Sequence, residues 1–558
     1  MYILGIIGNP GSECHDSSAA LIKDGLVVAA AEQERFSRRK HAPGEAPLDS
    51  IAYCLDKEGI SVDDVDYVAV SWEPEGIHGE VKGKHKEELL EKILPTNIFK
   101  YNAKRIRCGY VNHHITHITA AFYQSGFSDA ACMVIDGQGE NEAITLAKVS
   151  KGNLEVIKKF PIAYSLGALY DAAAGYVGLG FDVPGKFMGL ASYGIPNQKM
   201  PISFDCDEGK FLIKSDYFNE KNNFYETREN YIKYFEKNNY PYRRASIGEI
   251  QASELMTYSN FAASVQNSLD EMFINMAKYL KSIVNTQNLI LAGGVALNCT
   301  ANGKLDRSKI FDNIFVYPAS NDAGCSVGAA LEIARQRGIF DKNTSRRIQN
   351  VYLGKSYAND DVLVSIKNSR LKVKYMEDSL LTKTIAKDLN ENKIIGWFQS
   401  GFEFGPRALG ARSLLAGTVD RNITNRLNRV KGRELWRPLS PIILDKCYSD
   451  VFEDDTPQNM SSFMLKTCIV REEWRSKVPA IVHVDDSSRP QYLCQEDNEL
   501  LYGLLQEYYD LTSIPMIVNT SFNTHGRPIV NSPREALIEF EKEKGIDILV
   551  IGNYYIER

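Results

Sequence analysis

The sequence predicts an α/β protein: a duplicated α/β domain followed by a second α/β domain. Three observations predict it. An apolar first strand passes through a polar loop into a hairpin; the same order of elements returns further on; and strand-like runs then alternate with helical ones. Residues 2–8 (Tyr-Ile-Leu-Gly-Ile-Ile-Gly) read as a buried strand. Residues 18–22 and 26–31 read as a hairpin about Lys23-Asp24-Gly25, since Asp-Gly between apolar runs is strong turn chemistry. Residues 131–135 repeat the first strand, and 143–149 with 154–160 repeat the hairpin about Ser150–Asn153. Strands are expected at 288–292 and 313–317, with a helix from Cys325 to about Arg337. Beyond a linker at 338–350, runs at 393–398, 481–484, 516–519 and 546–551 read as strands between helical stretches. The expected domains are therefore 1–345 and 351–558.

Strand, loop and hairpin, twice over, resembles the opening of each half of the duplicated nucleotide-binding fold of actin, sugar kinases and heat-shock chaperone ATPases. A length of 558 residues suits about three or four folding units. The 44% apolar and 24% charged composition is that of an ordinary globular protein. A net charge of −6 gives no basic field for nucleic acid or a membrane surface. Ten cysteines without a C-x-x-C pair suggest a reduced, cytoplasmic protein. The N-terminal residues lack a signal peptide's basic region, and no apolar run approaches the ~20 residues that span a bilayer. A homodimer is open.

His113 and His117, four apart, fall on one face of a helix. Asp136 ends an apolar strand at a Gly-rich turn, and Asp322 precedes a helix in Ser320-Asn321-Asp322-Ala323-Gly324. Two imidazoles and two carboxylates suit iron(II), manganese or zinc, with positions left for phosphate oxygens or a reacting carbonyl. His114 points about 100° away around the helix, so it is a supporting or acid/base group. His15, beside Asp16 after the first strand, is a candidate general base for an alcohol. A turn-capping cluster is the bland alternative.

Residues 185–191 (Gly-Lys-Phe-Met-Gly-Leu-Ala) and Gly293-Gly294 are glycine turns able to approach phosphates, although neither is a P-loop. The densest basic run begins at Arg407 and Arg412 and continues to Lys431 and Arg437, with Arg489, Asn519 and Ser521 later. Such runs are commonly solvated faces. Here the arginines flank Gly, Pro and Trp, as in a pocket of guanidinium forks for phosphate. The polar, aromatic-rich stretch 204–242 reads as a surface insertion or as an acceptor-binding subdomain.

These motifs together resemble the antibiotic and nodulation-factor O-carbamoyltransferase family. The blocks are His15-Asp16-Ser17-Ser18-Ala19-Ala20-Leu21, Glu34-Arg35-Phe36, His113-His114-x-x-His117, Gly185-Lys186-x-Met188-Gly189-Leu190-Ala191, Gly293-Gly294-Val295-Ala296-Leu297-Asn298, residues 404–410 and Lys431-Gly432-Arg433-Glu434. The resemblance implies a TsaD-like domain over 1–345 and a YrdC-like domain over 351–558. It implies that carbamoyl phosphate and ATP, with Mg(2+), form carbamoyl-adenylate in the second domain. The carbamoyl group then passes to a small-molecule hydroxyl at an iron(II) or other divalent metal site in the first. Carried over, the metal ligands are His113, His117, Asp136 and Asp322, with His15, Asp16 and His114 as catalytic candidates. The phosphate and nucleotide pocket is Arg407, Arg412, Lys431, Arg437, Arg489, Asn519 and Ser521. The adenylate site of the first domain is Lys186, Gly189, Gly293, Gly294 and Asn298. Cys14 and Ala411 depart from frequent Gly and Asn at those positions. Other readings remain: a tRNA-modifying threonylcarbamoyl-type transferase, a metal-dependent sugar kinase, and a non-enzymatic ATP-gated binding protein.

Overall fold

The computed structural model describes residues 1–8, 14–73, 83–215, 217–238, 240–241, 252–339, 345–367, 369–454 and 460–558. Strands β1 (Tyr2–Ile7), β2 (Ser18–Lys23), β3 (Leu26–Glu32), β4 (Tyr67–Ser71) and β5 (Cys108–Val111) make a sheet of order β3-β2-β1-β4-β5. Strands β6 (Asp129–Ile135), β7 (Glu142–Ser150) and β8 (Asn153–Pro161) come next, followed by the small hairpin of β9 (Ile202–Asp205) and β10 (Lys210–Ile213). With β11 (Asn288–Ala292) and β12 (Asn313–Val316), β6 to β8 make the order β12-β11-β6-β7-β8. Both sheets place a hairpin on one side of their first strand and two parallel strands on the other. The duplication expected from the sequence is present.

Packing divides the chain into two compact units that do not follow chain order. One comprises Met1–Ile7, Ile22–Leu26 and Asp63–Arg347; the other comprises Gly8–Leu21, Val27–Val62 and Ile348–Arg558. In the first unit, β6 reads Asp-Ala-Ala-Cys-Met-Val-Ile and is buried from its second residue on. Such near-continuous apolar sequence belongs to a strand covered on both faces. The helix Cys325–Gln336 packs closely on the helix His113–Ser125 because residue 328 is glycine. A Cβ there would stand 1.8 Å from the Thr116 carbonyl oxygen.

The second unit is built on β13 (Lys372–Tyr375), β14 (Ile395–Phe398), β15 (Arg412–Ala416) and β16 (Ser440–Leu444). Short strands β17 (Phe452–Glu453), β18 (Cys468–Val470) and β19 (Ser487–Ser488) form a separate sheet. Then β20 (Gln491–Leu493), β21 (Met516–Ser521), β22 (Ile548–Ile551) and β23 (Tyr554–Glu557) complete a mixed sheet of order β13-β23-β22-β14-β15-β21-β16-β20.

Residues 481–484, expected as a strand, form a turn instead. The Ile481 N–H donates back to the Val478 carbonyl at 3.2 Å and the His483 N–H to Ser487 at 2.9 Å. Of the run's apolar residues Ile481 is buried and Val484 is exposed, so its apolar letters do not mark a buried strand. Gly294 opens a 3-10 turn, Gly294–Leu297, and the α-helix begins at Cys299. Within 204–242 lies the helix Phe224–Lys237, started by a capping box of Asn223 and Glu226; residues 216, 239 and 242 lie outside the described residues, as do 340–344 of the expected linker. No helix among the described residues is long and apolar enough to cross a membrane.

Candidate active site

Asn112 caps the helix His113–Ser125, its side chain accepting from the Ile115 N–H at 3.2 Å. That start puts His113 and His117 one turn apart, with Nε2 atoms 3.2 Å from each other. Asp136 follows β6 directly, and the neighbouring β11 runs from Ala292 into Gly293. Gly293 has φ +88, and a Cβ on it would lie 2.4 Å from the Ile135 carbonyl oxygen, so only glycine fits. The turn aims the Gly294 N–H at Asp136 Oδ1, 3.0 Å away. Asp136 Oδ2 is left facing the two imidazoles, at 3.2 Å and 3.3 Å. Asp322 brings Oδ1 to 3.5 Å from His113 Nε2 and 3.9 Å from His117 Nε2. One ligand atom from each of the four residues lies within 4.8 Å of the other three.

Further residues hold this arrangement. His113 Nδ1 meets Ser71 Oγ at 3.4 Å, and the Trp72 ring stacks on the imidazole at 4.1 Å. With Nδ1 engaged, Nε2 is the atom turned to the carboxylates. Glu140 accepts from the His113 N–H at 2.8 Å and from Asn112 Nδ2 at 2.7 Å, pinning the start of the helix. Its charge also suits the positive end of the helix.

Burial pushes both imidazoles down, but the Cys325 sulfur and the carboxylates outweigh it. His113 stands well above its ordinary value and His117 is lifted to about 9. Burial raises Asp136, yet hydrogen bonds from the two histidines hold it far below the usual carboxylate range. The two Nε2 atoms face each other, and both also face carboxylates. A divalent cation would satisfy these groups together, and the N₂O₂ donor set fits a borderline ion. His114 stands outside this set. Its Nδ1 pairs with Thr145 Oγ1 at 2.7 Å, its buried Nε2 has no partner, and burial holds it neutral.

Of the expected adenylate residues, Gly293 and Gly294 join the cluster through Asp136. Asn298 caps the helix Cys299–Arg307 and exchanges two amide hydrogen bonds with Gln266. Lys186 and Gly189 lie on the helix Pro184–Ala191.

In the second unit, Asp16 sits between two histidines. Its carboxylate meets His15 Nδ1 at 3.2 Å and His41 Nδ1 at 2.7 Å. Burial works to raise Asp16, but these hydrogen bonds hold it below the usual carboxylate range. His15 is about half exposed.

The basic run folds into two different things. Lys431, buried at the end of the helix Asn422–Val430, donates to Ser521 O and Oγ at 2.5 Å and 3.0 Å and to Asn523 Oδ1 at 2.6 Å. Burial and the neighbouring Arg433 and Arg437 push the ammonium well below its ordinary value. Burial, Arg437 and Arg489 bring Arg433 down to about 9. Arg489 Nε donates to Ser440 Oγ at 3.2 Å, and Ser440 pairs in register with Asn519. The buried Asn519 donates to the Ala408 carbonyl at 2.9 Å, and the half-buried Arg407 precedes it. Like charges gathered beside hydroxyls and amides suit a polyanion.

Arg412 is held by backbone carbonyls. Its fully buried guanidinium donates to the carbonyls of Gln399, Ala411, Lys355 and Ser400 and lies 3.5 Å from the Phe398 ring centroid. Sequence reasoning missed Ser71, Trp72, Glu140, Cys325, His41, Arg433 and Asn523 as members of these clusters. Cys325 had a signal, its position three residues after Asp322; Arg433 lies in the Lys431-Gly432-Arg433-Glu434 block, and Asn523 is two residues after Ser521.

The family described as Carbamoyltransferase N-terminus matches residues 5–331, and Carbamoyltransferase C-terminus matches 386–558. Nodulation protein NolNO of Sinorhizobium fredii is 32% identical, over 98% of this chain and 80% of that protein. Nodulation protein U of the same organism is 28% identical, over 92% of this chain and 93% of its own. Among solved structures, HypF of T. kodakarensis overlaps with a TM-score of 0.38 at 13% identity, covering 62% of this chain and 48% of that one. P. abyssi Sua5 complexed with L-threonine has a TM-score of 0.25 at 17% identity, covering 32% and 48%. The sequence matches span both halves of the molecule, and the chain belongs to the carbamoyltransferase family.

Proposed function

We propose that this carbamoyltransferase is ATP-dependent and carbamoylates a hydroxyl of a small molecule in two steps, one in each domain, 1–345 and 351–558. In the second domain, carbamoyl phosphate and water give carbamate and phosphate. A carbamate oxygen then bonds to the α-phosphorus of ATP, and pyrophosphate leaves. The product is carbamoyl-adenylate. Arg433, Arg437 and Arg489 gather positive charge, and the phosphates of a bound nucleotide would draw a proton back onto the neighbouring Lys431.

In the first domain the acceptor oxygen bonds to the carbamoyl carbon as the bond to the adenylate oxygen breaks, and AMP leaves. The observation that carries this step is the convergence of His113, His117, Asp136 and Asp322 within 4.8 Å. These residues would hold a divalent ion, iron(II) among the candidates, which when bound supplies Lewis acidity and a fixed point for phosphate oxygens. The Gly293-Gly294 turn keeps Asp136 aimed at the histidines. His15, whose Nδ1 meets the Asp16 carboxylate at 3.2 Å, is the candidate general base for the acceptor hydroxyl.

The test is to incubate the protein with labelled carbamoyl phosphate, Mg(2+)-ATP and a panel of hydroxylated metabolites. One carbamoyl group should be added to an acceptor while AMP and pyrophosphate form in equal amounts. Formation of ADP in place of AMP and pyrophosphate would point to a kinase-type reaction and sink the adenylate route.

A further inference from the structure

The histidine pair that faces Asp136 and Asp322 also faces a sulfur. Cys325 opens the helix Cys325–Gln336 and is fully buried. Its Sγ and one nitrogen each of His113 and His117 lie within 4.8 Å of one another, and the sulfur is in hydrogen-bonding reach of both rings. The close approach at Gly328 holds the helix of Cys325 against the helix of the histidines. The two carboxylates do not belong to this three-residue set. Ligands of one ion stand no further apart than the sum of their bond lengths, about 2.3 Å for thiolate and about 2.0–2.2 Å for a carboxylate oxygen. A single ion therefore cannot take the sulfur and both carboxylates where they stand.

We infer that His113, His117 and Cys325 form a second, softer ion position, which shares the histidines with the carboxylate position and takes thiophilic divalent ions such as zinc or cobalt(II). Thiolate with imidazole suits such ions, whereas added carboxylates suit manganese. On binding, the sulfur–metal bond forms and the thiol proton leaves to solvent. Filling one position excludes the other, because both draw on the same two imidazoles. The identity of the cation thus decides which of the two sets is used. This inference rests on reading the histidine pair as metal ligands.

The test uses the full-length, metal-free protein, titrated with cobalt(II) by absorption and with manganese(II) by its paramagnetic resonance signal. Cobalt should give a near-ultraviolet thiolate-to-metal charge-transfer band. Cys325→Ser should lose that band and still bind manganese. A wild type without the band, or a band that persists in Cys325→Ser, overturns the inference. If Cys325→Ser does not fold, X-ray absorption on wild-type protein with one equivalent of zinc decides. A sulfur neighbour at about 2.3 Å supports the soft position, and nitrogen and oxygen neighbours alone overturn it. Manganese binding without a thiolate band removes this inference alone; no binding of either ion also removes the metal reading of the histidine pair.

Discussion

The His113–Asp136 cluster and the Lys431–Arg489 cluster are both charged and largely buried, yet burial has opposite outcomes in them. Among the histidines and aspartates, opposite charges outweigh burial: His117 is lifted to about 9 and Asp136 held low. Around Lys431, like charges reinforce burial, so Lys431 and Arg433 are both driven down. The first cluster answers its own charge and presents converging lone pairs, the condition for a cation. The second accumulates one sign of charge, the condition for an anion. Each arrangement stores the complement of what it would bind.

The comparison breaks most sharply at His117. His117→Ala removes a donor at the centre of the first cluster. Metal affinity should drop by more than about 100-fold, beyond the 10–100-fold typical of residues that only support ligands. Carbamoyl transfer should be lost while pyrophosphate release continues. Metal analysis and pyrophosphate release on one preparation check both, and full metal occupancy in the variant would count against the ligand assignment.

A second test separates Lys431 from Arg412, two cations of one basic run. Lys431→Met should abolish pyrophosphate release. Arg412→Ala should first of all cost stability, about 3 kcal/mol or more, because buried carbonyls that now receive the guanidinium would be left without donors. Thermal melting with pyrophosphate release would show the split. A stably folded Arg412→Ala that has lost only pyrophosphate release would place Arg412 with the anion pocket.

Those two residues also show how much the sequence disclosed. Turn chemistry and apolar runs disclosed the duplicated sheets, because hairpins such as Lys23-Asp24-Gly25 are locally determined. Helical spacing disclosed the His113/His117 pair, since four residues make one turn wherever the helix lies. Neither could disclose Trp72 stacked on His113, Glu140 under the helix start, or the Gly328 approach that brings Cys325 beside the histidines. Those depend on which elements meet. Arg412 and Lys431 look alike as letters; only the carbonyls that converge on one guanidinium tell them apart. The run 481–484 misled because its apolar letters do not tell the buried Ile481 from the exposed Val484.

The smallest expected effect is a pH dependence, and it tests the electrostatic contrast directly. Burial lowers His117, but Cys325 and Asp136 outweigh it and lift the imidazole to about 9. A group raised on folding contributes stability that is full below its unfolded value, about 6.5, and is lost as pH rises through about 9. Metal-free protein should therefore lose melting temperature across that window. Protons must also leave before an ion binds, so manganese affinity should rise over the same range. Lys431 acts in the opposite sense: pushed down by burial and by Arg433 and Arg437, it makes stability rise with pH up to its unfolded value, about 10.4. Lys431→Met removes that opposing slope, so its melting temperature should fall more steeply with pH than the wild type's, while His117→Gln should flatten the fall. Identical pH profiles for all three proteins would show that the two clusters do not carry the opposite proton linkage assigned to them.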